Sequence, residues 1–151
     1  MGLEYSVAFR SSKHDGAVLD RPLPGKGLAQ EISDGLMQLD VLSEGVFDEE
    51  PFWEIRCVID GKRIPVLVYI FQPNSVPHNA VWGISFSSQV GLLANLFGRN
   101  DVHEVQKLAR ALHEVLSTLG DVRGVRWFVG GNISPQINAG ASSPSDLGES
   151  I

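Results

Sequence analysis

The sequence predicts an α+β fold: a two-layer sandwich in which a mainly antiparallel sheet of about five strands carries its two main helices on one face. Three observations predict it. Residues 53–59 alternate apolar positions with mostly polar ones and run into Asp60-Gly61, the pattern of a strand entering a tight hairpin. Val102, Val105, Leu108, Leu112, Val115 and Leu119 fall on one stripe of a helix. The elements follow in the order β-α-β-β-β-α-β, and two helices are too few to cover both faces of such a sheet.

Residues 3–10 alternate, with Leu3, Tyr5, Val7 and Phe9 on one side, which predicts a half-buried strand. Residues 11–25 are polar, hold Pro22 and Pro24, and read as a loop. Leu28, Ile32, Leu36 and Leu39 recur at helical spacing and predict a helix over 28–42, with Gly35 costing about 1 kcal/mol inside it. Residues 43–51 read as an acidic loop closed by Pro51. Trp53, Ile55, Cys57 and Ile59 then share the core face of the next strand. The return strand, 64–71, is apolar on both faces, and Pro65 argues for an edge position or a bulge. Trp82, Ile84 and Phe86 mark a strand over 81–87. Asp101 and Glu104 form a capping box for the second helix, and Gly120 suits a left-handed position beyond its end. Residues 125–129 form the last strand. The expected organisation is one domain, 1–133, followed by a Ser-, Gly-, Ala- and Pro-rich disordered tail, 134–151.

The chain has 151 residues and a formal net charge of −6. Residues 31–60 hold nine acidic residues and one base, Arg56, so the remainder is net positive. An acidic surface repels phosphates, which argues against nucleic acid; the segment reads as a solvated face, with a site for a basic protein partner as the alternative. No apolar run is long enough to span a membrane, and the first residues carry no signal-like core, so the expected location is cytoplasmic.

No catalytic, metal or cofactor constellation emerges from the motifs. Gly25-Lys26-Gly27 lacks the upstream glycine and the hydroxyl residue of a phosphate loop. His103-Glu104 and His113-Glu114 place their histidines too far apart to share one zinc ion, and all four histidines read as surface residues. Cys57 lies on the presumed core face, where a thiol is structural. Leu67, Tyr69, Phe71 and Phe128 lie on the opposite sheet face, which two helices on one side would leave bare. A wide bare apolar face marks an interface, with a homodimer or a separate partner. Val90–Phe97 reads as core packing, with docking to a larger assembly as the alternative.

Short length, acidity, no signal, a tryptophan-bearing α+β body and no active site together resemble small bacterial toxin-immunity proteins. The resemblance rests on class features with no diagnostic motif, so no residue roles carry over. It implies a non-catalytic protein that binds a basic toxin or effector stoichiometrically and blocks it. The candidate contact residues are Asp40, Glu44, Asp48, Glu49 and Glu50, with Tyr69 and Phe71 on the second face. The alternatives are a secretion-chaperone-like dimer and a small hydrolase or transferase built on Cys57 or a histidine.

Overall fold

The computed structural model describes residues 4–14, 25–70, 81–87, 102–130, 133 and 140–147. The fold is α+β, with six antiparallel strands and two α-helices among the described residues. The strands are β1 (Glu4–Ser11), β2 (Leu42–Glu49), β3 (Phe52–Ile59), β4 (Lys62–Ile70), β5 (Trp82–Ser87) and β6 (Val122–Val129), and the helices are α1 (Lys26–Gln38) and α2 (Val102–Thr118). In space the strands run β2-β3-β4-β5-β1-β6. Strands β2 to β5 are therefore a meander, and the first strand is inserted between β5 and the last.

Alternation decides which face meets the helices. On β3, Trp53, Ile55, Cys57 and Ile59 are buried while the residues between them are partly exposed. Their cross-strand partners Val68, Val66 and Ile64 on β4 are buried with them. Tyr5, Val7 and Phe9 of β1 and Trp82, Ile84 and Phe86 of β5 continue the same core layer. Onto it α1 lays Leu28, Ile32 and Leu36, and α2 lays Val105, Leu108, Leu112 and Leu116.

The helices touch each other at Gly35. A Cβ built there would lie 2.8 Å from Val115 Cγ1 and 3.2 Å from Cγ2. The residue that weakens the helix signal thus lies in the contact between α1 and α2. Helix α1 ends earlier than the predicted residue 42, because Asp40 takes a left-handed φ of 64°. There the Asp40 N–H donates to the Met37 carbonyl and the Val41 N–H to the Leu36 carbonyl, closing the helix end.

Other elements also depart from the sequence reading. The acidic loop is a strand: β2 pairs with β3 from Leu42↔Val58 to Glu49↔Phe52, adding a sixth strand at the sheet edge. A bulge between Ser43 and Val46, with Gly45 at φ 128°, breaks the alternation that would have revealed it. Pro65 lies on an interior strand, but β4–β5 pairing begins only at Val66, so the strand is locally an edge where the proline sits. Gly120 is not left-handed; α2 ends through Leu119 N–H to the Val115 carbonyl and Val122 N–H to the Leu119 carbonyl. Glu104 is buried and accepts a bond from Lys62; the capping box expected with Asp101 falls on a residue outside the described ones.

A further departure concerns the segment expected as a disordered tail. Over 140–147 it packs on the body: Ala141 and Trp127 exchange two backbone hydrogen bonds, at 2.7 and 2.9 Å, and Pro144 is buried in a 3-10 turn. The sheet face away from the helices is also not bare at its centre. Ala8, Val81 and Ile133 are buried there, with Tyr69 and Phe128 packed against them. Phe71 and the 90–97 run lie outside the described residues.

Candidate functional site

The acidic residues singled out from the sequence line one edge of the sheet. Bulged strand β2 brings Glu44, Asp48 and Glu49 onto it, and the turns before and after add Asp40 and Glu50. All five are exposed. A sheet edge presents backbone groups that another strand can pair with, and charged side chains along it disfavour indiscriminate pairing.

These charges are not equivalent. Glu44 pairs with Arg63 at 3.2 Å, and Glu49 pairs with Arg56 at 3.1 Å. Arg56 also donates Nε to Glu54 at 2.5 Å and stacks its guanidinium 3.7 Å above the Phe47 ring. The Glu54 hydrogen bond pushes the Arg56 pKa above its ordinary value. The side of β2–β4 away from the helices is therefore an internally compensated Arg–Glu–Phe ladder. Asp40, Asp48 and Glu50 make no ion pair among the described residues. Asp48 instead accepts the Glu50 N–H at 3.1 Å, which fixes the β2–β3 turn. The uncompensated negative charge sits at the two ends of β2.

At the Asp40 end lies a groove of about 590 Å³. Apolar Leu39, Leu42 and Ile59 line it, together with Asp40 and Asp60 and with Lys107, Arg110 and Glu114 of α2. Lys107 reaches Asp60 at 3.5 Å. Leu42 is 54% exposed, among the most exposed large apolar side chains. Positive φ at both Asp40 (64°) and Asp60 (52°) turns the chain so that these carboxylates flank the groove. Sequence reading found Asp40 but not Leu42, Asp60 or the α2 cations. They come together only because two turns and a helix meet at one end of the sheet.

Tyr69 belongs to a different environment. Its hydroxyl meets Ser85 Oγ at 2.7 Å, Ser85 meets Ser6 Oγ at 3.0 Å, and Ser6 donates to the Gly130 carbonyl at 2.9 Å. The Tyr69 ring lies on Gly83, where a Cβ would be 2.5 Å from it. Burial raises the Tyr69 pKa, and this hydroxyl chain ties β4, β5 and β1 together.

The other chemistry-bearing residues are engaged in packing. Cys57 is fully buried, and desolvation pushes its thiol up to about 12, so no thiolate forms at neutral pH. Two histidines depart from the expectation of surface residues. His14 is 9% exposed and bonds Glu31 at 2.9 Å, while His113 Nδ1 accepts the Trp127 indole N–H at 3.0 Å. Ser11 donates to Asp121, so its proton is held by a carboxylate. Among the described residues no three His, Cys, Asp or Glu side chains are grouped to hold a metal ion, and no helix is long and apolar enough to cross a membrane.

Fold and site together define a two-layer α+β sandwich with an acidic sheet edge beside a groove. No family model, curated protein or solved structure matches this chain.

Proposed function

We propose that the protein is a non-catalytic binding module whose acidic sheet edge takes a basic protein partner. The observation that carries this reading is the coincidence, at one end of β2, of uncompensated Asp40, exposed Leu42 and a groove lined in part by apolar residues. An apolar anchor beside unpaired charge is the arrangement in which burial supplies affinity and charge supplies encounter rate and selectivity. Asp48 and Glu50 extend the charge to the far end of the strand. The mode is that of a small immunity protein: one-to-one occlusion of a basic toxin or effector, with no chemistry performed on it.

The test is affinity capture by the full chain from source-cell lysate at low and high salt. It is set beside a variant carrying Asp40→Asn, Asp48→Asn and Glu50→Gln, which removes charge without breaking any ion pair found in the fold. The reading expects one basic protein recovered stoichiometrically, its association slowed by salt and by the triple substitution. A partner captured equally well by the neutralised variant would show that the acidic edge is not the contact.

A further inference from the structure

At the opposite side of the sheet the charge has the other sign. Strands β1 and β6 are antiparallel neighbours, with Arg10 opposite Arg123 and Ala8 opposite Arg126. Ala8 is buried on the face away from the helices, so alternation puts Arg10 on that face and the register puts both β6 arginines beside it. The register shifts between Ala8 and Arg10, and Gly124, at φ 67°, lies in the irregularity. A Cβ at Gly124 would lie 3.6 Å from Arg10 Nη1. The Arg10 guanidinium therefore lies over the chain between Arg123 and Arg126.

Like charges directly opposite each other across strands are destabilising. Arg56 and Arg63 are each offset by carboxylates. Here none of the three makes an ion pair with a carboxylate of the described residues. Asp121, next to β6, is engaged instead by the Ser11 hydroxyl. Arg126 Nη1 donates to its neighbouring Val125 carbonyl at 3.3 Å, and its Nε is buried without any acceptor.

We propose that Arg10, Arg123 and Arg126 form an oxyanion site that takes one phosphate group. A phosphate monoester brings nearly two negative charges and three acceptor oxygens, and the arginine fork matches its geometry. Binding cancels the repulsion between the facing guanidiniums, and drawing Arg126 outward gives its Nε–H an acceptor. Three arginines on two adjacent strands fit a single phosphate rather than a nucleic-acid track, since the far edge of the same sheet is acidic. The site lies at the side of the sheet away from β2 and is independent of the binding reading given for that edge.

The experiment is a titration of the full-length, 15N-arginine-labelled protein, following side-chain Nε–H resonances by NMR. Inorganic phosphate, O-phosphoserine, acetate and chloride are compared at equal ionic strength. Saturable shifts of the Arg10, Arg123 and Arg126 signals with phosphate or phosphoserine, and not with chloride, are expected. The stronger of the two phosphates identifies the source as a free ion or a phosphorylated side chain. Arg123 is exposed, so Arg123→Gln keeps the fold; it should weaken binding about tenfold, the loss of one charge-assisted hydrogen bond, while Arg63→Gln leaves it unchanged. Shifts that track ionic strength alone, or an affinity indifferent to Arg123→Gln, overturn the proposal.

Discussion

Gly35→Ala sets two known effects against each other at one position. In an isolated helix the substitution is favourable by about 1 kcal/mol, because glycine is the more flexible residue in the unfolded chain. In this fold the new methyl would sit 2.8 Å from Val115 Cγ1 and 3.2 Å from Cγ2. Val115 is 2% exposed and β-branched, so in a helix its χ1 has essentially one rotamer and it cannot turn away. Overpacking of this kind costs about 1–3 kcal/mol. The net expectation is a loss of about 1 kcal/mol, or roughly 3 °C in Tm for a domain of this size. Val115→Ala alone should cost about 2 kcal/mol from lost burial and the cavity it leaves. In the double variant the methyl added at position 35 fills part of that space, so the two changes should couple favourably by about 1 kcal/mol or more. Urea denaturation of the four proteins measures this cycle. A Gly35→Ala protein that is more stable than the parent, or losses that simply add, would refute the α1–α2 contact.

Three further outcomes follow from the buried groups. The His113 pKa is lowered by burial, with Asp146 opposing, so between its folded and unfolded values the unfolded chain binds the extra proton. Its contribution is intact above about pH 6.5 and is lost as pH falls below that. Denaturation at pH 7.5 and 5.5 should show a smaller acid loss for His113→Gln than for the parent. Because Trp127 donates to His113, its fluorescence in the folded protein should change only as pH falls through the lowered folded value of His113, and in the parent alone. Glu104 is 5% exposed, whereas the Lys62 side chain is 41% exposed. Lys62→Met removes the bond to a buried carboxylate and should cost about 3 kcal/mol, while Glu104→Met leaves a lysine that water can reach and should cost less; equal losses in denaturation would contradict this. Cys57 should resist maleimide in the folded protein and react at once in denaturant, and rapid labelling under native conditions would show that the core at β3 is open.

The sequence was legible where burial imposed a period. β3 alternates cleanly because one of its faces is core, and Asp60-Gly61 takes φ values of 52° and 78°, as a hairpin turn of that composition should. Helix α2 was legible because its stripe is buried from Val105 to Leu116. β2 was hidden for three physical reasons: acidic residues are poor strand formers, an edge strand need bury little, and the Gly45 bulge shifts the alternation midway. The end of α1 was hidden because aspartate rather than glycine holds its left-handed residue. Of the candidate site, the acids were visible as composition. Their division into Arg-compensated Glu44 and Glu49 and unpaired Asp40, Asp48 and Glu50 depends on Arg56 and Arg63, brought alongside by strand pairing. The arginine cluster was invisible because Arg10 lies far along the chain from Arg123 and Arg126, and only the insertion of β1 beside β6 unites them.

The most direct test of the central claim, that the acidic segment is an edge strand and the contact surface, is hydrogen exchange across Leu42–Glu49 in the free protein and in the complex with its captured partner. The account predicts that amides bonded to β3 exchange slowly in the free protein, and that the remaining β2 amides and the Asp40–Leu42 turn gain protection on binding. Exchange of the whole segment at unstructured rates in the free protein, or protection gained only elsewhere in the complex, would contradict it.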